Sequence, residues 1–271
     1  MSDSGFLYEP NSIDSDSKKQ FFPVCIDNFF SDPDAIRDFA LSLNRTSDVA
    51  GNWPGERTDP LHIIDREFFN AIILKALSAY FDLKHTNLSW DDSDITFQLI
   101  PPNSDKRNDP VNVGWIHKDL GNNLAGLIYL TPDADPDSGT SLFNIKPEFE
   151  NIYLDHGRQP EKHIWELGDK ITNEDYIEAL EKHNNMFYEK TRFQNIYNRL
   201  IMYDANEFHR ANNFLTGTKD RLTCVFFISG VKAGFDGNKP SRYPMDRVLD
   251  KYNFDDKLLS RIKNLKERNN V

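Results

Sequence analysis

Hydrophobic positions along the chain follow two periods, and they divide it into helical flanks around a block of short strands. Phe21–Phe30, FFPVCIDNFF, mixes β-branched and aromatic residues and predicts a strand running into a turn. Ser31-Asp32-Pro33 then offers a capping side chain and a first-turn proline, and Ile36, Phe39, Ala40 and Leu43 follow at helical spacing. Gly51–Thr58, GNWPGERT, is too rich in Gly and Pro to predict regular structure. From Asp65 to Phe81, the residues Phe68, Phe69, Ile72, Ile73, Ala76, Leu77 and Tyr80 form one continuous apolar stripe, the mark of a packing helix.

Strand character begins at Asp94–Ile100, DITFQLI, and stops at Pro101-Pro102. Two further strands are predicted around Val111–Asp119 and Leu124–Leu130, paired through a Gly121-Asn122-Asn123 turn. The pattern then fades. An insertion of about 145–192 carries helical spacing in Tyr176, Ala179, Leu180 and His183. Strands resume at Tyr197–Tyr203, Phe208–Phe214 and Arg221–Ser229, and Met245–Asn269 predicts a charged helix docked through Leu258, Leu259, Ile262 and Leu265. Many short strands with Gly/Pro turns and flanking helices point to a mainly β fold closed as a sandwich or jelly roll. The expected layout is one domain: a loosely ordered polar segment at 1–20, a strand and helices over 21–93, the β core over 94–230, and a helical tail over 231–271.

Composition narrows the class of partner. The 271-residue chain carries 32 basic and 43 acidic residues, a net charge of −11, which disfavours phosphate backbones as ligands. Cys25 and Cys224 stand far apart and supply neither a disulfide framework nor a zinc knuckle. No apolar run suits a signal peptide or membrane span, so a cytoplasmic protein is expected.

Within this frame Trp115–Phe143, WIHKDLGNNLAGLIYLTPDADPDSGTSLF, carries the candidate chemistry. Residues two apart on a strand share a face, so His117 and Asp119 can reach one metal ion. Of the seven histidines, most lie in charged or loop contexts; His209, in EFHRANNF, lies at the start of a strand and supplies a third ligand. Two histidines and one carboxylate with open coordination positions form the facial triad of non-haem iron(II) sites, whereas zinc more often takes all-His or Cys-rich sets. The bland reading of each residue is a loop cap for Asp119, a satisfied strand-end histidine for His209 and an exposed cation for Arg221. Their conjunction in one β block favours a site.

The segments WIHKD, LIYL, GTSLF and FHRANNFLTGTKDRLTCVFF, in that order, resemble the iron(II)/2-oxoglutarate-dependent dioxygenases, and within them the prolyl-4-hydroxylase-like branch. The resemblance covers about Asp94 to Ser229, and the WPGERT loop resembles phage and bacterial members of uncharacterised function. It implies a double-stranded β-helix of cupin-like type. It also implies Fe(II) on His117, Asp119 and His209, with 2-oxoglutarate and O2 as cosubstrates. Arg221, twelve residues beyond His209, matches the cation that takes the far carboxylate of 2-oxoglutarate, and Thr223 on the same strand face matches a hydroxyl partner. Tyr129 adds a phenol, and Gln98 stands in for an aromatic expected before the H-x-D strand. Trp115, Trp53 and Arg57 are the candidate substrate walls; as alternatives, Trp115 is core and Trp53 plugs a tight loop. The 90 residues from Asp119 to His209 are long for the family, and the insertion absorbs them.

A retained carboxylate at Asp119 implies hydroxylation, since the related halogenases replace it with a small residue. The implied reaction hydroxylates a C–H bond of an amino acid, a peptidyl residue such as proline, or a small metabolite, and releases succinate and CO2. A non-catalytic jelly roll stapled by its metal is the alternative. A nucleic-acid demethylase of the same superfamily is disfavoured by the acidic charge.

Overall fold

The structure is a computed structural model that describes residues 21–48, 53–84, 86–106, 108–150, 171–217, 220–235 and 254–268. The predicted loose segment at 1–20, His85, His156 and His163 lie outside the described residues.

The amino-terminal part follows its sequence signals. After β1 (Val24–Ile26), the helix α1 (Pro33–Ser42) starts where the Asp32 carboxylate accepts the Ala35 N–H at 3.0 Å, with proline in the first turn. Strands β2 (Arg45–Ser47) and β3 (Glu56–Thr58) precede a short α2 (Leu61–Ile64) and α3 (Arg66–Leu77). Asp65 caps α3 by accepting the Phe68 N–H, and the helix ends four residues short of the expected Phe81, passing into turns. GNWPGERT was expected to lack regular structure, but its last three residues are β3. Gly55, at φ +72°, lets the chain turn tightly, because a Cβ there would run into the Leu99 carbonyl.

The remaining elements are β4 (Thr86–Ser89), β5 (Asp92–Ile100), β6 (Leu124–Tyr129), β7 (Thr140–Ile145), α4 (Asn173–Asn184), β8 (Phe187–Phe193), β9 (Leu200–Asp204), β10 (Phe208–Ala211), β11 (Arg221–Ser229), β12 (Lys232–Phe235) and α5 (Phe254–Arg268). A large antiparallel sheet runs β1-β9-β6-β11-β5-β3-β2, and a small one runs β10-β7-β8. An isolated antiparallel bridge between His117 and His209 adds the 117 segment to the free side of β10. From β5 onward the chain alternates between the layers, giving β5-β11-β6-β9 opposite 117-β10-β7-β8. This is the double-stranded β-helix, or jelly roll, and it bears out the expected mainly β fold with flanking helices.

Period-two alternation sends the two faces of the large sheet to different cores. Phe97, Ile128, Met202, Leu222, Cys224 and Phe226 face outward and pack with Phe39, Phe68, Ile72 and Leu258 of the helices. Ala125, Leu127, Tyr129, Ile201, Tyr203 and Val225 face inward, toward Leu142 and Phe193 of the small sheet. Helix α5 docks on α3 and α1 through Leu258, Ile262 and Leu265, while Leu259 is only half-buried.

Three expectations are corrected. Val111–Asp119 is not a strand paired to β6 through a hairpin. It starts with a 3-10 turn at Pro110–Asn112 and touches a sheet only at the His117 bridge, since β9 and β11 already occupy both edges of β6. The insertion of about 145–192 ends early: Phe187–Phe193 is β8, a core strand hydrogen-bonded along β7. Its sequence, FYEKTRF, is largely exposed between its buried ends, so it lacks the apolar signature of a strand. The tail expected to be helical from 231 opens with β12, paired to β4; 236–253 lie outside the described residues.

Candidate metal centre

His117 and His209 are direct cross-strand partners. The His117 N–H donates to the His209 carbonyl at 3.0 Å and the His209 N–H to the His117 carbonyl at 2.9 Å, which sets the ring centroids 4.4 Å apart. Asp119, two residues on, is anchored by its own N–H donating to the Ala205 carbonyl at 3.0 Å. The three side chains each offer a ligand atom, and these atoms lie within 4.8 Å of one another.

The imidazoles are oriented alike. His117 Nδ1 lies 2.8 Å from the Trp115 carbonyl and His209 Nδ1 lies 2.9 Å from the Glu207 carbonyl. A carbonyl only accepts, so Nδ1 carries a proton in both rings, which leaves Nε2 as the nitrogen that can bind a metal. Those Nε2 atoms face the Asp119 carboxylate, at 3.7 Å from His117 and 3.2 Å from His209. A metal ion or a shared proton would satisfy acceptors gathered at such range. Asp119 Oδ2 is buried without a hydrogen-bond partner. Burial alone would raise the Asp119 carboxyl, but His209, His117 and Arg57 outweigh it and hold it below its ordinary range. Two imidazoles and one ionised carboxylate on one face fit an iron(II) ion.

The ligands open on a cavity of about 500 Å3, inside the range of about 300–1000 Å3 usual for small-molecule sites. Arg221 lies in its floor, 3% exposed, with Cζ 5.5 Å from the Tyr129 ring centroid. Its Nη2 is 3.5 Å from Thr140 Oγ1, and its Nε is buried without a partner. Burial pulls the Arg221 guanidinium below its ordinary range, and Tyr129 and Tyr203 oppose the shift. The Tyr129 hydroxyl donates to Thr140 Oγ1 at 2.9 Å, beside Arg221, and Tyr129 is not a wall of the cavity. Thr223 is fully enclosed, its Oγ1 without a partner. Gln98 lines the cavity and holds the Pro54 carbonyl at 2.8 Å, and its Oε1 accepts from Arg57 at 3.4 Å. Trp53 and Arg57 are stacked, with Cζ 4.4 Å above the indole, and both line the cavity. Trp115 belongs to both of its readings: it is 4% exposed and also part of the wall.

The sequence did not single out three further lining residues, Thr140, Tyr176 and Tyr203. Tyr203 packs its ring 4.8 Å from His209, and burial followed by the Asp119 charge pushes its phenol well above the ordinary range. Its signal was the inward register of RLIMYD on β9. Tyr176, on α4, accepts a hydrogen bond from Trp115 Nε1 at 2.9 Å; 61 residues separate the two, and no local pattern links them.

Fold and side chains together define a jelly-roll protein with a His/Asp/His cluster that could hold a metal ion. The chain belongs to the family of unknown function DUF6445, whose model matches residues 15–214. No curated protein sequence matches it significantly. Among solved structures, it is similar to HygX from Streptomyces hygroscopicus with nickel and 2-oxoglutarate bound, at 10% identity and TM-score 0.44 over 77% of this chain and 83% of that one. It is also similar to a prolyl hydroxylase from Trichoplax adhaerens in complex with a hypoxia inducible factor peptide, at 11% identity and TM-score 0.42 over 77% and 83%. A third is a prolyl-4-hydroxylase from Pseudomonas putida, at 12% identity and TM-score 0.34 over 78% and 93%. Among the described residues, no helix is long and apolar enough to cross a membrane.

Proposed function

We propose that the protein is an iron(II)- and 2-oxoglutarate-dependent dioxygenase that hydroxylates a C–H bond of an amino acid, a peptidyl residue or a small metabolite. One observation carries this reading: three convergent ligand atoms, His117 Nε2, His209 Nε2 and an Asp119 oxygen, share a cavity with the buried guanidinium of Arg221. Bound there, Fe(II) with 2-oxoglutarate and O2 supplies oxidising power for C–H hydroxylation, with succinate and CO2 as coproducts.

The chain's own share is to hold, orient and exclude. His117, Asp119 and His209 would hold the metal beside the cavity that all three line. Arg221, backed by Thr140 and flanked by Tyr203, gives a dicarboxylate's far end a cation and adjacent hydroxyls in a dry floor, where such bonds are strongest. Leu127, Val225 and Phe227 supply apolar walls against water. Retention of Asp119 supports hydroxylation within this class.

Anaerobic addition of Fe(II) and then 2-oxoglutarate is expected to give a visible charge-transfer band, and aerobic turnover to give succinate. Asp119→Ala should remove both. A folded protein that binds the metal yet gives neither band nor succinate would instead be the metal-stapled module.

A further inference from the structure

The cavity holds one metal centre but two guanidiniums, and only Arg221 is used by the reading above. The second is Arg57. It sits in register with Gln98, which pairs with Thr223, which pairs with Tyr129, so these four side chains form one row across the large sheet. At about 4.8 Å between strands, Arg57 stands roughly 10 Å along the row from the strand that carries Arg221. The two cations therefore serve different parts of the cavity.

Arg57 is held but largely unanswered. Its guanidinium is stacked on Trp53 at 4.4 Å and lies 5.6 Å from the Phe227 ring centroid, contacts that fix its plane. Of the five N–H donors of a guanidinium, one finds a hydrogen-bond acceptor among the described residues, Gln98 Oε1 at 3.4 Å, and Nε is buried without a partner. The carboxylates of Asp94, Asp119 and Asp48 act on it from a distance. Among the described residues none reaches it as an ion pair within 4 Å. Burial pushes the guanidinium down to about 10, so it stays cationic at neutral pH. A half-buried cation on a cavity wall, with one buried donor unmet, gains from a ligand that completes it.

Charge balance gives that ligand a sign. A divalent ion, the Asp119 carboxylate, Arg221 and a doubly charged 2-oxoglutarate sum to zero, which leaves Arg57 and Lys118 as the cations on the rest of the cavity wall, with Asp94 the carboxylate that acts most strongly on Arg57. Resting on the dioxygenase reading, we infer that the hydroxylated substrate is a small carboxylate, its carboxyl group received side-on by Arg57 above Trp53. A planar fork held flat by stacking matches the two oxygens of a carboxylate. A free amino acid or small organic acid fits this description; an internal peptidyl residue, which has no carboxylate of its own on the backbone, does not.

The test uses the full chain with Fe(II) and 2-oxoglutarate under anaerobic conditions. The probes are a panel of free amino acids and small mono- and dicarboxylic acids, each beside its primary amide, and the readout is perturbation of the charge-transfer band. At least one acid is expected to perturb the band in the wild type, with its amide about 10- to 100-fold weaker, as for loss of a charge-assisted bond. Arg57→Met, which keeps the stem on Trp53, should lose the acid by a similar factor while retaining the cosubstrate band; Arg57→Lys should fall between.

The inference is overturned if no acid acts, if amides act as well as acids, or if Arg57→Met binds the acid as the wild type does. It is also overturned if Arg57→Met loses the cosubstrate band, which would make Arg57 a cosubstrate anchor. Absence of the band in the wild type would count against the dioxygenase reading alone. Melting of metal-free protein with the same panel then decides the site: acids should raise the wild-type Tm and leave that of Arg57→Met unmoved, and equal shifts in both would overturn it.

Discussion

Asn184, the last residue of α4, holds the segment that carries two of the three candidate metal ligands. Its Oδ1 accepts the Ile116 N–H at 3.0 Å and its Nδ2 donates to the Gly114 carbonyl at 3.1 Å, so it mimics the edge of a neighbouring strand. Ile116 is 1% exposed, and no water can replace the lost partner without local opening. Asn184→Ala deletes the bond to the Gly114 carbonyl, worth about 1 kcal/mol net, and leaves the Ile116 N–H unanswered at about 1–3 kcal/mol; the expected loss of stability is about 2–4 kcal/mol. Because His117 follows Ile116 directly, metal affinity should also fall by about 10- to 100-fold, the usual cost of removing a group that orients a ligand. Urea denaturation of the metal-free protein measures the first effect and anaerobic Fe(II) titration the second. Asn184→Asp keeps the acceptor and loses the donor, so it should retain more stability than the alanine variant. A change below about 0.5 kcal/mol together with unaltered metal affinity would refute the idea that α4 supports the site.

Two further outcomes follow from the two cores and their buried groups. Leu258→Ala on α5, at a residue 1% exposed, should cost about 2–5 kcal/mol by urea denaturation. Metal titration of the folded variant should match the wild type, because α5 packs on the opposite face of the large sheet; a cost under about 1 kcal/mol would refute the assigned packing. Burial raises the phenols of Tyr129 and Tyr203, so their contribution to stability is fully present below the unfolded value of about 10 and is lost as pH climbs through the raised folded values. Tyrosinate absorbance of the native protein near pH 10 should therefore account for fewer than all ten tyrosines until the chain unfolds, and a full count in the folded state would refute it.

Legibility in the sequence tracked how locally each feature is determined. His117, Asp119 and His209 were picked out by residue type and spacing and Arg221 only through the resemblance, and all four line one cavity although 117–119 is not a strand. Strands β6, β9 and β11 were readable because burial on both faces leaves near-continuous apolar runs. β8 was not, since the edge strand of a small sheet keeps its middle in water and reads as polar. Tyr203 was hidden for the opposite reason, as one aromatic among many in a buried strand. The helix α3 and its Asp65 cap were clear, but nothing in Asp65 foretold that its carboxylate would also accept from Arg261 of α5 at 2.6 Å. That partnership is set by the tertiary docking of two segments nearly two hundred residues apart.

The segment Val111–Asp119, predicted as a strand and found without a ladder, explains how the site is built. A regular strand there would fix His117 and Asp119 through a ladder; the chain instead makes one bridge and is closed from outside by α4. Gly114 allows the approach, since a Cβ would meet the Ala211 carbonyl and amide of β10 at 3.0 and 3.1 Å. On the outer side, His183 Nε2 lies 2.7 Å from the Ile116 carbonyl while Asn184 takes the Ile116 N–H. One turn pair higher on the same helix, Tyr176 is bonded to Trp115 and lines the cavity. The helix that secures the ligand segment is thus also a wall of the cavity, so displacement of α4 moves wall and ligand together. Substitutions at Tyr176 that reshape the cavity should therefore alter metal affinity as well, in contrast to substitutions at Phe227, which lines the cavity from the rigid large sheet.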